Sequence, residues 1–174
     1  VPQEVRAYMN QIDISGKYLL SMINDILDIS RMNSGKFKLQ PEWVKPPVIY
    51  QSVIDMLAAQ LKGKDISFKV ETDYSLDSKI ELYVDGVRCR QVLINLLSNA
   101  VKFTPRGGKV CFTQSYGDQT EDIIYEIFTV DDNGCGMSEE FQEKMYEPFA
   151  QEENYITDSS QGTGLGLSVV AQIV

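Results

Sequence analysis

The chain of 174 residues is long enough for one domain with a sizeable core and one appended element. Its net charge of −9 argues against a nucleic-acid partner, because such a surface needs an excess of Lys and Arg. The absence of His excludes His-based acid–base, nucleophilic and metal chemistry within this sequence.

The three Cys are not spaced as CxxC pairs, so they fit a reducing compartment better than a disulfide framework. No apolar run approaches the roughly 18 residues that a membrane-spanning helix requires. We therefore expect no direct contact between this part of the protein and a membrane.

Apolar residues repeat every seven positions over residues 1–35, which predicts a long helix that ends near Gly35. The two seams are Val5, Ile12, Leu19 and Ile26, and Tyr8, Ser15, Met22 and Ile29. Additional apolar residues widen the stripe, which favours a helical bundle between chains. Packing against the globular part of the same chain is the alternative.

Residues 36–174 alternate short strands and helices, which predicts an α+β domain. The predicted strands cover 37–44, 66–70, 80–84, 109–115 and 123–130, and the predicted helices cover 46–63, 88–103, 138–146 and 167–174. Residues 147–161 are polar and lack periodicity, so we expect a mobile loop there.

The helix 88–103 carries an unusual polar side. At about 100° per residue, six polar side chains share an arc opposite the Leu-rich side. They are Arg88, Gln91, Asn95, Ser98, Asn99 and Lys102, facing away from Leu93, Leu96, Leu97, Ala100 and Val101. Amide oxygens beside an ammonium suit a hydrated divalent cation and phosphate oxygens. An ordinary solvated helix face is the alternative.

Two glycine-containing segments follow. In residues 131–137, a carboxylate at a strand end precedes two glycines. A flat ligand could therefore approach closely, and its exocyclic amine could donate a hydrogen bond to the carboxylate. A plain Asp–Gly turn is the alternative. Residues 162–166, Gly-Thr-Gly-Leu-Gly, open a helix and present backbone N–H groups that favour an anion. They match neither the GxGxxG dinucleotide motif nor a P-loop.

Together and in this order, these segments resemble the N box, first glycine box, F box and second glycine box of the sensor histidine kinases. The matching residues are Asn95, Asn99, Ala100, Lys102 and Phe103, then Asp132, Gly134, Gly136 and Met137, then Glu147, Pro148 and Phe149, then 162–167. Residues 19–28 resemble the second helix of that family's dimerisation domain. The resemblance covers nearly the whole chain.

The resemblance implies a two-layer α/β sandwich of the Bergerat type, with one mixed sheet under helices, as in the gyrase, mismatch-repair and heat-shock chaperone ATPases. It divides the chain into a partial dimerisation domain, residues 1–35, and a catalytic ATP-binding domain, residues 36–174. It also implies that the acceptor helix before residue 1 and the final strands after residue 174 are missing from the sequence given.

The resemblance further implies that the domain binds ATP and Mg²⁺. Asn95 would ligate the magnesium, and Asn99 would contact the nucleotide beside it. The phosphates would be contacted by Lys102 and by backbone N–H groups of Thr163, Gly164, Leu165 and Gly166. Asp132 would accept a hydrogen bond from the adenine amino group, and Gly134 and Gly136 would let the adenine ring approach. Phe149 would anchor the loop 147–161 as a lid over the nucleotide. Phe103 and Met137 would complete the ATP-binding motifs.

By resemblance, the intact protein would phosphorylate its own His and then an Asp of a response-regulator receiver domain. The phosphoacceptor His is absent here, so this portion alone is not expected to phosphorylate itself. The implied partners are a second copy, through the N-terminal helix, and the receiver. The implied location is the cytoplasm, with an inner-membrane anchor elsewhere left open. A hydrolase of the same fold and a degenerate module that binds nucleotide or a partner without catalysis remain alternatives.

Overall fold

The computed structural model describes residues 2–73, 80–120, 123–152 and 162–174. Most of the predicted mobile loop therefore lies outside the described residues. Helix α1, Gln3–Asn33, confirms the predicted N-terminal helix, and it ends before Gly35, whose φ of +65° favours glycine. No described helix combines the length and the apolar character that a membrane span requires.

The domain that follows is of the predicted α+β class. Its helices are α2, Pro46–Gly63, α3, Gly86–Phe103, α4, Glu139–Lys144, and α5, Gly166–Ile173. Its strands are β1, Glu42–Val44, β2, Ser67–Thr72, β3, Leu82–Val84, β4, Lys109–Gln119, and β5, Ile124–Asp132. The strand predicted over 37–44 is shorter than expected, because only Glu42–Val44 finds a partner, in β3.

Strand pairing separates the described strands into two sheets, whereas the resemblance implied one. The antiparallel pair β1–β3 stands apart from a mixed sheet in which β4 lies between parallel β2 and antiparallel β5. Strand β5 extends beyond its predicted end because its pairing with β4 continues to Asp132, opposite Val110. The end of β5 therefore lies beside the start of β4.

The core lies between the three-stranded sheet and the helices α2 and α3. It includes Ile49, Val53, Leu57, Leu93, Leu97, Ala100, Val101, Val110 and Phe112, each almost fully buried. Tyr50 and Phe112 join helix to sheet with ring centroids 5.6 Å apart. The predicted apolar side of α3 is thus confirmed, with Leu96 only half-buried. Burying this side leaves the opposite side of α3 available for a site.

The C-terminal end of α1 packs on the α+β domain that follows it, while most of the length of α1 is exposed. Ile29 is buried against Leu165 and Val169. The carboxylate of Asp28 accepts from the Arg88 guanidinium, with Nη2 to Oδ1 at 3.0 Å, and from Gln91 Nε2 at 3.2 Å. Burial works to raise the pKa of Asp28, but the hydrogen bonds and charge of Arg88 outweigh it, so the pKa lies below its ordinary value.

Candidate nucleotide-binding site

The polar side of α3 is the wall on which the candidate site is built. The Oδ1 atom of Asp85 accepts from the backbone N–H of Arg88 over 3.1 Å and so caps the start of the helix. Asn95, Asn99 and Lys102 lie half-buried on the side that faces away from the core. The predicted line of amides and an ammonium is therefore available to a ligand.

The first glycine segment folds back onto the end of α3. The Oδ1 atom of Asp132 accepts from the backbone N–H of Gly134 over 2.8 Å. A Cβ on Gly134 would lie 2.7 Å from both Asp132 Oδ1 and the carbonyl oxygen of Phe103, so no larger residue fits there without displacement. Gly136 has a φ of +69°, and the Met137 carbonyl accepts from Gln142 Nε2 over 2.9 Å. The exposed Asp132 carboxylate thus lies in a segment that rests on the end of α3.

The second glycine segment approaches the middle of α3 from the other side. Asn95 Nδ2 donates to the carbonyl oxygen of Gly166 over 3.2 Å, at the start of α5. The Thr163 hydroxyl accepts from the backbone N–H of Leu165 over 3.1 Å, so this N–H already has a partner. Gly164 has a φ of +70°, and its carbonyl accepts from the backbone N–H of Phe149 over 2.9 Å. This turn is therefore held by α3 and by the F-box segment together.

The side chain of Lys102 also reaches the second glycine segment. A Cβ on Gly162 would lie 2.9 Å from Lys102 Nζ, so the ammonium reaches the second glycine segment. The same Nζ lies 4.8 Å from the centre of the Phe103 ring. Burial lowers the pKa of Lys102, because the charged form loses solvation. A phosphate anion beside it would restore the lost stabilisation of the charge.

Two residues shortly after the F box contact the second glycine segment and Ser138, the residue that follows the first glycine segment. Gln151 Nε2 donates to the Gly162 carbonyl over 2.8 Å, and Glu152 Oε1 accepts from the Ser138 N–H over 3.2 Å. The Phe149 side chain is 60% exposed and lines a groove with Ile26 and Ile29 of α1. Its backbone, rather than its ring, holds it to the second glycine segment.

The residues present fit a nucleotide with its metal. An adenine amine matches the Asp132 carboxylate, and the ammonium of Lys102 matches phosphate oxygens. Within the described ranges, no cluster of three or more acidic, Cys or His side chains could hold a metal alone. Magnesium usually takes one or two protein oxygens together with waters and phosphates, and Asn95 Oδ1 is such a ligand. The amide nitrogen of Asn95 is already committed to Gly166.

Three residues that hold the segments of the candidate site in place were not identified from the sequence. Asn133 Oδ1 accepts from the Lys109 N–H over 2.6 Å, which fixes the first glycine segment to the start of β4. Lys64 reaches the end of α3, and Gln151 reaches Gly162. The Asp-Asn-Gly turn offered a signal for Asn133. No local pattern marks Lys64 or Gln151.

An acid at a strand end, two glycine segments and a helix carrying amides define a class of ATP-binding domain. Residues 84–174 match the family described as Histidine kinase-, DNA gyrase B-, and HSP90-like ATPase. The chain belongs to this family.

Similar proteins within this family are sensor histidine kinases. Over 98% of its length, the chain is 36% identical to the autoinducer 2 sensor kinase/phosphatase LuxQ of Vibrio parahaemolyticus, and it covers 20% of that protein. Over 97% of its length, it is 37% identical to the circadian input-output histidine kinase CikA of Synechococcus elongatus, covering 22% of it. The structure of full-length ShkA in complex with AMPPNP aligns with a TM-score of 0.74 and 29% identity, over 99% of this chain and 34% of that one.

The chain thus spans about a fifth of the length of these curated relatives. It carries the ATP-binding catalytic domain of the sensor histidine kinases.

Proposed function

We propose that this chain is the part of a sensor histidine kinase that binds ATP and presents its γ-phosphoryl group for transfer. In the intact protein, the phosphoryl group passes to a His of the dimerisation domain and then to an Asp of a response-regulator receiver. Because the sequence given has no His, the acceptor belongs to another segment or chain. The observation that carries the proposal is the contact of both glycine segments with α3, at Phe103 and at Asn95.

The residues divide into an adenine end and a phosphate end. The Asp132 carboxylate accepts a hydrogen bond from the adenine amine, and Gly134 and Gly136 leave room for the adenine ring. Asn95 would hold Mg²⁺, and Asn99 would contact the nucleotide beside it. When bound, Mg²⁺ neutralises charge on the phosphates.

Charge compensation at the phosphates comes mainly from Lys102 and from the backbone N–H groups of Thr163, Gly164 and Gly166, since the Leu165 N–H is already bonded to the Thr163 hydroxyl. The overall charge of −9 repels an anionic nucleotide, so these local donors have to overcome it. Phosphoryl transfer needs mainly position and charge compensation, and this arrangement supplies both.

The amide of Asn95 favours transfer over hydrolysis. An amide cannot act as a general base at neutral pH, so the site lacks a group at this position that could activate water. The related hydrolases have a Glu there. Sustained phosphate release by the isolated chain would favour the hydrolase alternative.

The exposed stripe of α1 supports a homodimer in which this helix joins a bundle. Tyr8 and Ile12 are 68% and 71% exposed, and Leu19 and Leu20 are also exposed. We place the domain in the cytoplasm, where ATP is available. Analytical ultracentrifugation tests the dimer, and a strict monomer at high concentration would contradict it.

The adenine assignment is tested with Asp132→Asn, against Asp131→Asn as the matched control. Both carboxylates are exposed and adjacent at the end of β5, and both variants remove one negative charge. By isothermal titration, D132N should weaken ATP binding at least about tenfold and D131N less than about twofold, as a lost charge-assisted hydrogen bond predicts. Guanine presents an oxygen where adenine presents the amine, so D132N should also reduce the preference for ATP over GTP.

Equal affinities in D131N and D132N would remove Asp132 from the adenine site. No binding of ATP by the wild-type chain would favour the degenerate module.

A further inference from the structure

The C-terminus of α3 is closed by a side chain from another element. Lys64, the residue after α2, donates from Nζ to the carbonyl oxygens of Val101, Lys102 and Thr104 over 2.9, 2.7 and 3.1 Å. An ammonium has three N–H donors, so each donor has an acceptor. The last carbonyls of a helix lack partners within the helix and carry its negative end, so Lys64 supplies both hydrogen bonds and charge.

Little else is available to these carbonyls. Val101 and Thr104 are 2% and 1% exposed, so water is largely kept away from this turn. Thr104 leaves the helix in an extended conformation, with φ −77° and ψ 128°, instead of the left-handed turn that would fold backbone donors over the helix end. The carbonyl of Lys64 also accepts from the Gly107 N–H over 3.1 Å. Lys64 is therefore bound to the helix end and to the turn that follows.

The turn that Lys64 closes is also the turn that meets both glycine segments. Lys102 extends from it toward Gly162, and the Phe103 carbonyl lies against Gly134. Any fraying of this turn would move the Lys102 backbone, and its side chain with it. The ammonium of Lys64 itself points at carbonyls, so it has no donor left for a nucleotide.

We propose that Lys64 is a positioning residue that holds Lys102 in place for the nucleotide phosphates. This inference rests on the proposed ATP site. Lys64 acts through the last turn of α3 and touches no substrate. Its removal therefore weakens the phosphate contribution to binding more than the adenosine contribution.

The test compares Lys64→Met with Lys62→Met, by titration with ATP and with adenosine. Lys62 is exposed in the last turn of α2, so K62M makes the same chemical and charge change without touching α3. We expect K64M to weaken ATP binding about tenfold and adenosine binding less than about twofold, because the charge of Lys102 acts only on the phosphates. K62M should bind both ligands as the wild type does. Adding K64M to Lys102→Met should weaken ATP binding no further, because the two residues act in series.

Several results would overturn the proposal. They are unchanged ATP affinity in a K64M variant with a lowered melting temperature, equal losses for ATP and adenosine, or a full K64M effect in the K102M background. Should K64M not fold, Lys64→Gln keeps an N–H donor and is expected to lose ATP affinity selectively as well, and its failure to do so would count equally against Lys64. No ATP binding by the wild type would refute the proposed function, whereas wild-type binding with intact K64M affinity refutes only the role of Lys64.

Discussion

Asn95 in the middle of α3 and Gly166 at the start of α5 are joined by a hydrogen bond of 3.2 Å, although 71 positions separate them. The bond uses the amide nitrogen of Asn95 and leaves its oxygen to serve a ligand. In the proposed site, this side chain would therefore have two tasks, which are to hold the second glycine segment and to bind the metal.

Asn95→Asp is therefore expected to impair both tasks. A carboxylate cannot donate to the Gly166 carbonyl, and it adds a charge beside the phosphates. We expect ATP affinity in the presence of Mg²⁺ to fall about tenfold or more, with an altered dependence on Mg²⁺ concentration, when measured by titration calorimetry. Asn24→Asp, an exposed position on α1, adds the same charge and should change neither quantity. Unaltered Mg²⁺-dependent affinity in N95D would contradict the metal role.

The pH dependence of binding reports on Lys102. Burial lowers the pKa of this lysine, so its ammonium loses its proton at a lower pH than an exposed lysine does. ATP affinity should therefore fall as the pH rises through that lowered pKa. Lys102→Arg stays charged, so titrations from neutral into alkaline pH should show no such decline. An identical decline in wild type and K102R would exclude Lys102 as its source.

The contact between Asp28 and Arg88 should contribute measurably to stability. Their side chains are only 10% and 21% exposed, so Arg88→Met leaves a largely buried carboxylate without its cation. We expect the free energy of unfolding in urea to fall by about 3 kcal/mol at neutral pH. The double variant with Asp28→Asn should recover part of that loss, because it removes the unpaired charge. A double variant no more stable than R88M would argue against the ion pair.

The stabilisation that the Asp28–Arg88 ion pair provides depends on pH. The folded-state pKa of Asp28 lies below its ordinary value of 3.8. The stabilisation is therefore complete above the unfolded-state pKa and is lost as the pH falls through the folded-state value. The difference in unfolding free energy between wild type and R88M should shrink as urea titrations are taken into acid. A difference that stayed constant would point to lost packing instead.

Two glycines of the candidate site should not tolerate a methyl group. A Cβ on Gly134 would meet Asp132 and Phe103 at 2.7 Å, and one on Gly164 would meet the Phe149 backbone at 2.7 Å. Gly134→Ala and Gly164→Ala should each lower the melting temperature and ATP affinity. Gly16→Ala, within α1 and with no atom near the added methyl, should instead stabilise by up to about 1 kcal/mol. Wild-type binding by G134A would show that the loop can move away from α3.

Much of the candidate site could be predicted because it consists of short local patterns. Asp85 and Ser138 are of residue types that commonly cap helices, and the side chain of each accepts a hydrogen bond from the backbone N–H three positions later. The buried side of α3 follows from helical periodicity alone. By contrast, the predicted strand around Phe37 failed because no partner strand extends that far. Pairing depends on a second segment that the local pattern does not contain.

By itself, the sequence determined the order and kind of the elements, the core side of α3 and the residues of each motif, since periodicity, caps and glycine placement act within a few positions of the chain. Only the tertiary structure decided that the end of α1 packs on α5, that Asp28 pairs with Arg88, and that Lys64 closes α3. Lys64 lies 37 to 40 positions before the carbonyls that it contacts, and Asp28 lies 60 positions before Arg88. Long-range contacts of this kind arise from how the core packs, and no local pattern records them.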